Sequence, residues 1–158
     1  MNSEIINTKQ NYYYLTLMLI IIFFRIPYIN SLYLSSDEIL YLIIGRNILD
    51  GEIPNVDNYS NKSPLLYFFY ILPSFFENTI FATRIYTIFY IFISSLLLFK
   101  VFDKKQNYID KFLYIIFFII LINQHHGKAL MAQTLALPFI LLIYNFCLNK
   151  KIKFLNIF

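Results

Sequence analysis

Residues Ser35–Leu66 read SSDEILYLIIGRNILDGEIPNVDNYSNKSPLL. No other long segment mixes acids, bases, Gly and Pro, and apolar sequence flanks it on both sides. Any chemistry the chain performs is expected here. Ser35 and Glu38 make a Ser-x-x-Glu capping box, in which each side chain satisfies a backbone N–H of the other residue, so a helix is expected to start at Ser35. Gly51 follows the last periodic residue and reads as the C-terminal cap. Ile39, Leu42, Ile43 and Ile48 fall broadly opposite Asp37, Tyr41 and Gly45, the pattern of an amphipathic helix lying along a membrane surface. From Gly51 to Pro64 the Gly, Pro, Asn, Asp and Ser content predicts a loop.

The surroundings of this stretch set the protein class. Of 158 residues, 59% are hydrophobic, 20% aromatic and only 14% charged, whereas soluble domains carry about 25% charged residues. An integral membrane protein is expected. The net charge of +4 is spread in small basic clusters between apolar runs, which serve as topology signals; no nucleic-acid partner is expected. The single cysteine, Cys147, excludes an internal disulfide and reads as a lipid-facing or packed apolar residue. Only Lys9 precedes the first apolar run among basic residues and no small-residue cleavage pattern follows it, so no cleavable signal is expected.

Crossing segments are expected near 12–34, 80–102, 112–124 and 134–148, since a spanning helix needs about 20 residues. The run 65–76 contains Pro73 and is short, so it is expected as a second surface helix near 64–76. With 35–79 as one external loop, Lys9, the Lys104/Lys105 loop and the Lys150 tail share one side, as the positive-inside rule requires. The expected fold is therefore an all-α membrane protein of about four transmembrane helices, with surface helices near 36–50 and 64–76 and both termini cytoplasmic in the plasma (inner) membrane. Arg25 sits in the second half of the first span, where it either snorkels to the interface or faces inward toward a phosphate. His125 and His126 are adjacent, diverge by about 100° on a helix and read as interfacial polar residues; no metal ligand is assigned.

From residue 37 to 67 the order of Asp37, Glu38, Tyr41, Arg46, Asn47, Leu49, Gly51, Pro54, Asp57, Lys62, Pro64, Leu66 and Tyr67 resembles the first external loop of the polyprenyl-phosphate-dependent glycosyltransferases of the GT-C superfamily. These include the protein O-mannosyltransferases and the lipid A aminoarabinose transferases. The resemblance implies transfer of a sugar from a polyprenyl-phosphate carrier to an acceptor on the external face. It implies Asp37 as the catalytic base, a role suited to a carboxylate that must take a proton from an attacking hydroxyl. It implies Lys62 as the lipid-phosphate contact, with Arg25 and Lys128 as further cations for the leaving group. Glu38 and Asp57 are candidates for acid or acceptor contacts; capping alone accounts for Glu38, and Asp57 suits a turn equally well. The helix dipole alone also favours an acid at Asp37.

The chain departs from that family at Gln133 and Leu135, where relatives carry a carboxylate, and at Ser60-Asn61, where some carry an acidic metal ligand. Family members are also several times longer, so the chain corresponds to the N-terminal part of such a module. No cofactor is assigned beyond the carrier-linked sugar donor, and a divalent cation is left open. The expected partners are membrane lipid, that donor, and a second polypeptide if the remaining spans are supplied in trans. The alternative is a noncatalytic membrane protein that binds polyprenyl-phosphate lipid or scaffolds a partner.

Overall fold

The computed structural model describes residues 2–29, 34–54, 56–57, 62–102, 107–124 and 132–150. Six helices follow one another: α1 (Asn2–Ile29), α2 (Ser36–Leu49), α3 (Pro64–Ser74), α4 (Thr79–Val101), α5 (Tyr108–Gln124) and α6 (Ala132–Lys150). Among the described residues the structure is wholly helical apart from turns and loops. Local chemistry sets the ends. Ser35 accepts from the Glu38 N–H and Glu38 reaches back to the Ser35 N–H, so the expected capping box starts α2. Gly51 has φ +97° just beyond the C-cap Asp50, the left-handed geometry that glycine adopts without strain. Pro64 opens α3 at a position where its missing N–H costs no intrahelical bond. Asn78 caps α4 by accepting from the Phe81 N–H at 3.0 Å.

Two segments, Tyr12–Ile29 of α1 and Thr79–Val101 of α4, are long and apolar enough to cross a membrane. At about 1.5 Å per residue, the 23 residues of α4 extend about 35 Å, against about 30 Å of bilayer hydrocarbon. The 14 residues of α2 and 11 of α3 reach only about 21 and 17 Å, too short to span. Helix α5 has 17 residues, and the apolar part of α6 is Ala132–Cys147. Large side chains such as Phe23, Phe117 and Ile143 point outward from α1, α5 and α6, a surface that needs an apolar environment or a protein cover.

Helix α4 is the centre. Its Ile88 and Ile91 join Leu17 and Ile21 of α1 and Ile115 and Ile119 of α5 in one core. Its Tyr90 joins Tyr41, Leu42 and Ile44 of α2, Tyr67 and Tyr70 of α3, and Leu135 of α6 in a second. Thr83, Thr87, Ser94 and Ser95 are buried on α4, and each hydroxyl donates to the carbonyl four residues earlier. These small residues let neighbouring helices approach without leaving unsatisfied polar groups.

Helix directions follow from the contacts. Tyr13 of α1 meets Phe99 of α4 and Phe112 of α5 at ring distances of 5.3 and 5.0 Å. Far along the same helices, Arg25 of α1 donates to Asn123 of α5 at 3.2 Å. Helices α1 and α5 thus run in one sense and α4 in the other, and the end that holds Arg25, Asn123 and the start of α4 also carries α2 and α3.

The surface-helix expectation needs one correction. Tyr41 and Gly45, expected on the polar side of α2, are buried against α3, while Ile39 and Ile43 are exposed. A Cβ on Gly45 would lie 2.9 Å from the Tyr70 carbonyl carbon and oxygen, so glycine here permits a backbone-to-backbone crossing. The polar stripe of α2 is a helix contact, because aromatic rings and a glycine make a better packing surface for α3 than branched aliphatics do. The helix limits also differ modestly from the hydropathy reading: α3 ends at Ser74, α1 begins at Asn2 and α5 at Tyr108, since polar residues with helical propensity extend a helix past its apolar part.

A buried charge cluster under a candidate functional site

Asp37 and Glu38 are adjacent on the first turn of α2, and the helix sends them to different environments. Asp37 is exposed, whereas Glu38 is fully buried. One Glu38 oxygen accepts the Ser35 N–H at 3.1 Å, and the other accepts Arg84 Nη1 at 3.0 Å. Both partners of this ion pair are buried, at 4% and 1% side-chain exposure. Arg25 lies within electrostatic reach of both. It is 1% exposed, donates Nη1 to Asn123 and leaves Nη2 without a hydrogen-bond partner. Two buried guanidinium groups therefore face one carboxylate, and this buried cluster carries an excess positive charge. The pair joins the first turn of α2 to α4, and because losing either partner would strand a buried charge, it resists a shift of α2 along α4.

Above the charges lies a tyrosine cluster. Tyr41 packs on Tyr67 and Tyr70 at 5.9 and 5.2 Å between ring centroids, tilted or edge-on as aromatic pairs prefer. The Asp37 carboxylate, one helical turn back, lies close to the Tyr41 phenol, and the Lys62 backbone lies close to the Tyr67 hydroxyl. Burial raises all three phenols above their ordinary value; the Asp37 charge adds to the effect at Tyr41 and the Glu38 charge at Tyr70. The Tyr70 hydroxyl is buried with no hydrogen-bond partner.

The sequence-derived candidates thus divide. Asp37 and Lys62 are both exposed; Asp37 lies close to Tyr41, and the backbone of Lys62 lies close to Tyr67. Glu38 and Arg25 belong to the buried cluster beneath them. The Asp57 carboxylate accepts the Ile53 N–H at 2.6 Å and closes the turn Ile53–Asp57. Lys128, like His125 and His126, lies outside the described residues.

Arg84, Asn123, Tyr41 and Tyr70 were not singled out as site residues by the sequence. Arg84 did carry a signal, as the sole charged residue from Ile80 to Phe99, and a lone cation in an apolar run requires a partner. Among the described residues no three His, Cys, Asp or Glu side chains gather as metal ligands.

Among the described residues the protein is all-helical, two of its helices are long and apolar enough to cross a membrane, and the exposed Asp37 adjoins the buried Glu38 of the charge cluster. Compared with known proteins, the chain matches no family model, no curated protein and no solved structure.

Proposed function

We propose that the chain is the N-terminal, four-crossing part of a membrane glycosyltransferase that moves a sugar from a polyprenyl-phosphate carrier to an acceptor on the external face. The remaining spans would come from a second polypeptide or from further chain. Asp37 acts as the base on the acceptor hydroxyl, and Lys62 grips the carrier phosphate. The observation that supports this reading is a run of neighbours across the α2–α3 pair, in which Asp37 lies close to Tyr41, Tyr41 packs on Tyr67, and Tyr67 lies close to the Lys62 backbone. Arg25 and Arg84, outnumbering Glu38, add a fixed positive field beneath the leaving phosphate, and a preformed field of this kind costs no reorganisation during the reaction. Lys128 is a further candidate for the phosphate, and Asp57 for the acceptor. Helices α1, α4, α5 and α6 are the crossings, with α2 and α3 at the external surface and both termini cytoplasmic.

Two measurements test this. In a Cys147→Ser background, Asp37→Cys and Lys62→Cys should both react with a membrane-impermeant maleimide added from outside to intact cells; labelling of only one of them refutes the shared headgroup. In membranes supplied with polyprenyl-phosphate-linked radiolabelled sugars, Asp37→Asn should abolish transfer while carrier binding persists. Carrier binding by the wild type with transfer unchanged by Asp37→Asn would favour the noncatalytic lipid-binding alternative.

A further inference from the structure

A cleft of about 340 Å³ opens between α2, the end of α3 and the start of α4. Its walls are hydrocarbon: Leu34 before α2, Ile39 and Ile43 on α2, and Ile80 on α4. Ile39 and Ile43 are 45% and 53% exposed, so they turn outward from the bundle rather than into it. Arg46 is the one charged residue lining the cleft among the described residues. It follows Ile39 and Ile43 on α2 at helical spacing and therefore shares their face. Its Nη1 donates to the Ser74 carbonyl at 2.9 Å, which anchors the guanidinium at the cleft while its other N–H donors stay on an exposed side chain.

We propose that this cleft is a binding site for an anionic phospholipid, with the phosphate on Arg46 and the upper part of one acyl chain along Ile39, Ile43 and Ile80. Three features select this occupant. A planar guanidinium with free N–H donors matches a phosphate oxygen pair. The apolar wall beginning beside it fits the chain that hangs from such a phosphate. Among the described residues the lining holds no carboxylate, and Glu77 lines an adjoining hollow instead, so the ammonium of a zwitterionic headgroup has no partner in the cleft and a net negative lipid is preferred. The lipid would tie α2 to the bilayer interface at its C-terminal turn, as the Glu38–Arg84 pair ties its N-terminal turn to the bundle.

The inference rests on the membrane part of the proposed function and is independent of the transferase part. The purified full chain in detergent is titrated with phosphatidylglycerol or phosphatidylcholine, and bound lipid is counted by native mass spectrometry. The wild type should retain phosphatidylglycerol more tightly, and Arg46→Gln should lose about tenfold in that affinity. Arg46→Lys should recover most of the preference, and Ile43→Glu, which places an acid on the wall without disturbing the core, should reverse it. Equal affinity for the two lipids in the wild type, or an unaltered preference in both Arg46→Gln and Ile43→Glu, overturns the site. Release of the chain into the aqueous fraction by alkaline carbonate would overturn the membrane reading along with it.

Discussion

Replacing Glu38 by Gln removes one charge and little else. Glutamine serves in a capping box as glutamate does, so the Ser35 cap survives. What remains is a buried end of the bundle with Arg25 and Arg84, within electrostatic reach of each other, and no anion between them. Stranding a buried charge in this way costs about 3–5 kcal/mol. At about 2–4 °C per kcal/mol for a chain of this size, the melting temperature should fall by roughly 10 °C. Arg84→Met should cost less, because Arg25 stays within electrostatic reach of the buried Glu38 carboxylate and offsets part of the loss. The double variant Glu38→Gln/Arg84→Met removes both partners and returns the cluster to the single excess positive charge of the wild type, on Arg25, so its cost should lie below the sum of the two by more than about 1 kcal/mol. Thermal unfolding of the four proteins in one detergent, followed by far-ultraviolet circular dichroism, completes the cycle. Additive costs, or a Glu38→Gln variant that melts within about 2 °C of wild type, would show that the pair does not hold α2 on α4.

Two further outcomes follow from the α2–α3 contact. Gly45→Ala drives a methyl group into the Tyr70 backbone, which lies 2.9 Å from the built Cβ; because backbone cannot rotate aside, a loss of about 1–3 kcal/mol in thermal stability is expected, and none if the helices part freely. Tyr70→Phe deletes a buried hydroxyl without a hydrogen-bond partner and should be neutral or stabilising by up to about 1 kcal/mol at pH 7. The same phenol, with Tyr41 and Tyr67, has its pKa raised on folding above the ordinary 10.0. The unfolded chain therefore gives up these protons first, and stability that is complete below pH 10 declines as the pH rises beyond it. An alkaline melt should begin above about pH 10 and become shallower in Tyr70→Phe; an unchanged slope would contradict the burial of that phenol.

Much of the helical layout was legible because its causes are local. Ser35 and Glu38 are three residues apart, Gly51 needs only its own backbone freedom, and Pro64 suits the first turn it occupies. The apolar runs that contain Tyr12–Ile29 and Thr79–Val101 announce their lengths directly. Hydropathy was a poorer guide to where helices stop, since it measures burial in lipid and not backbone hydrogen bonding.

The site was half legible. Asp37 and Lys62 stand out as an acid and a base in a polar loop, and an ordered run of residues resembles a known one. The partner of Glu38, by contrast, lies 46 residues away at Arg84, and that of Arg25 lies 98 residues away at Asn123; no periodicity or capping rule reaches that far. The two faces of α2 tell the same story. Its 3.6-residue period separates Ile39 and Ile43 from Tyr41 and Gly45, which the amino acids alone determine. Which face meets protein was decided only when α3 returned across it, because a glycine and aromatic rings admit a close helix crossing that branched aliphatic side chains would block.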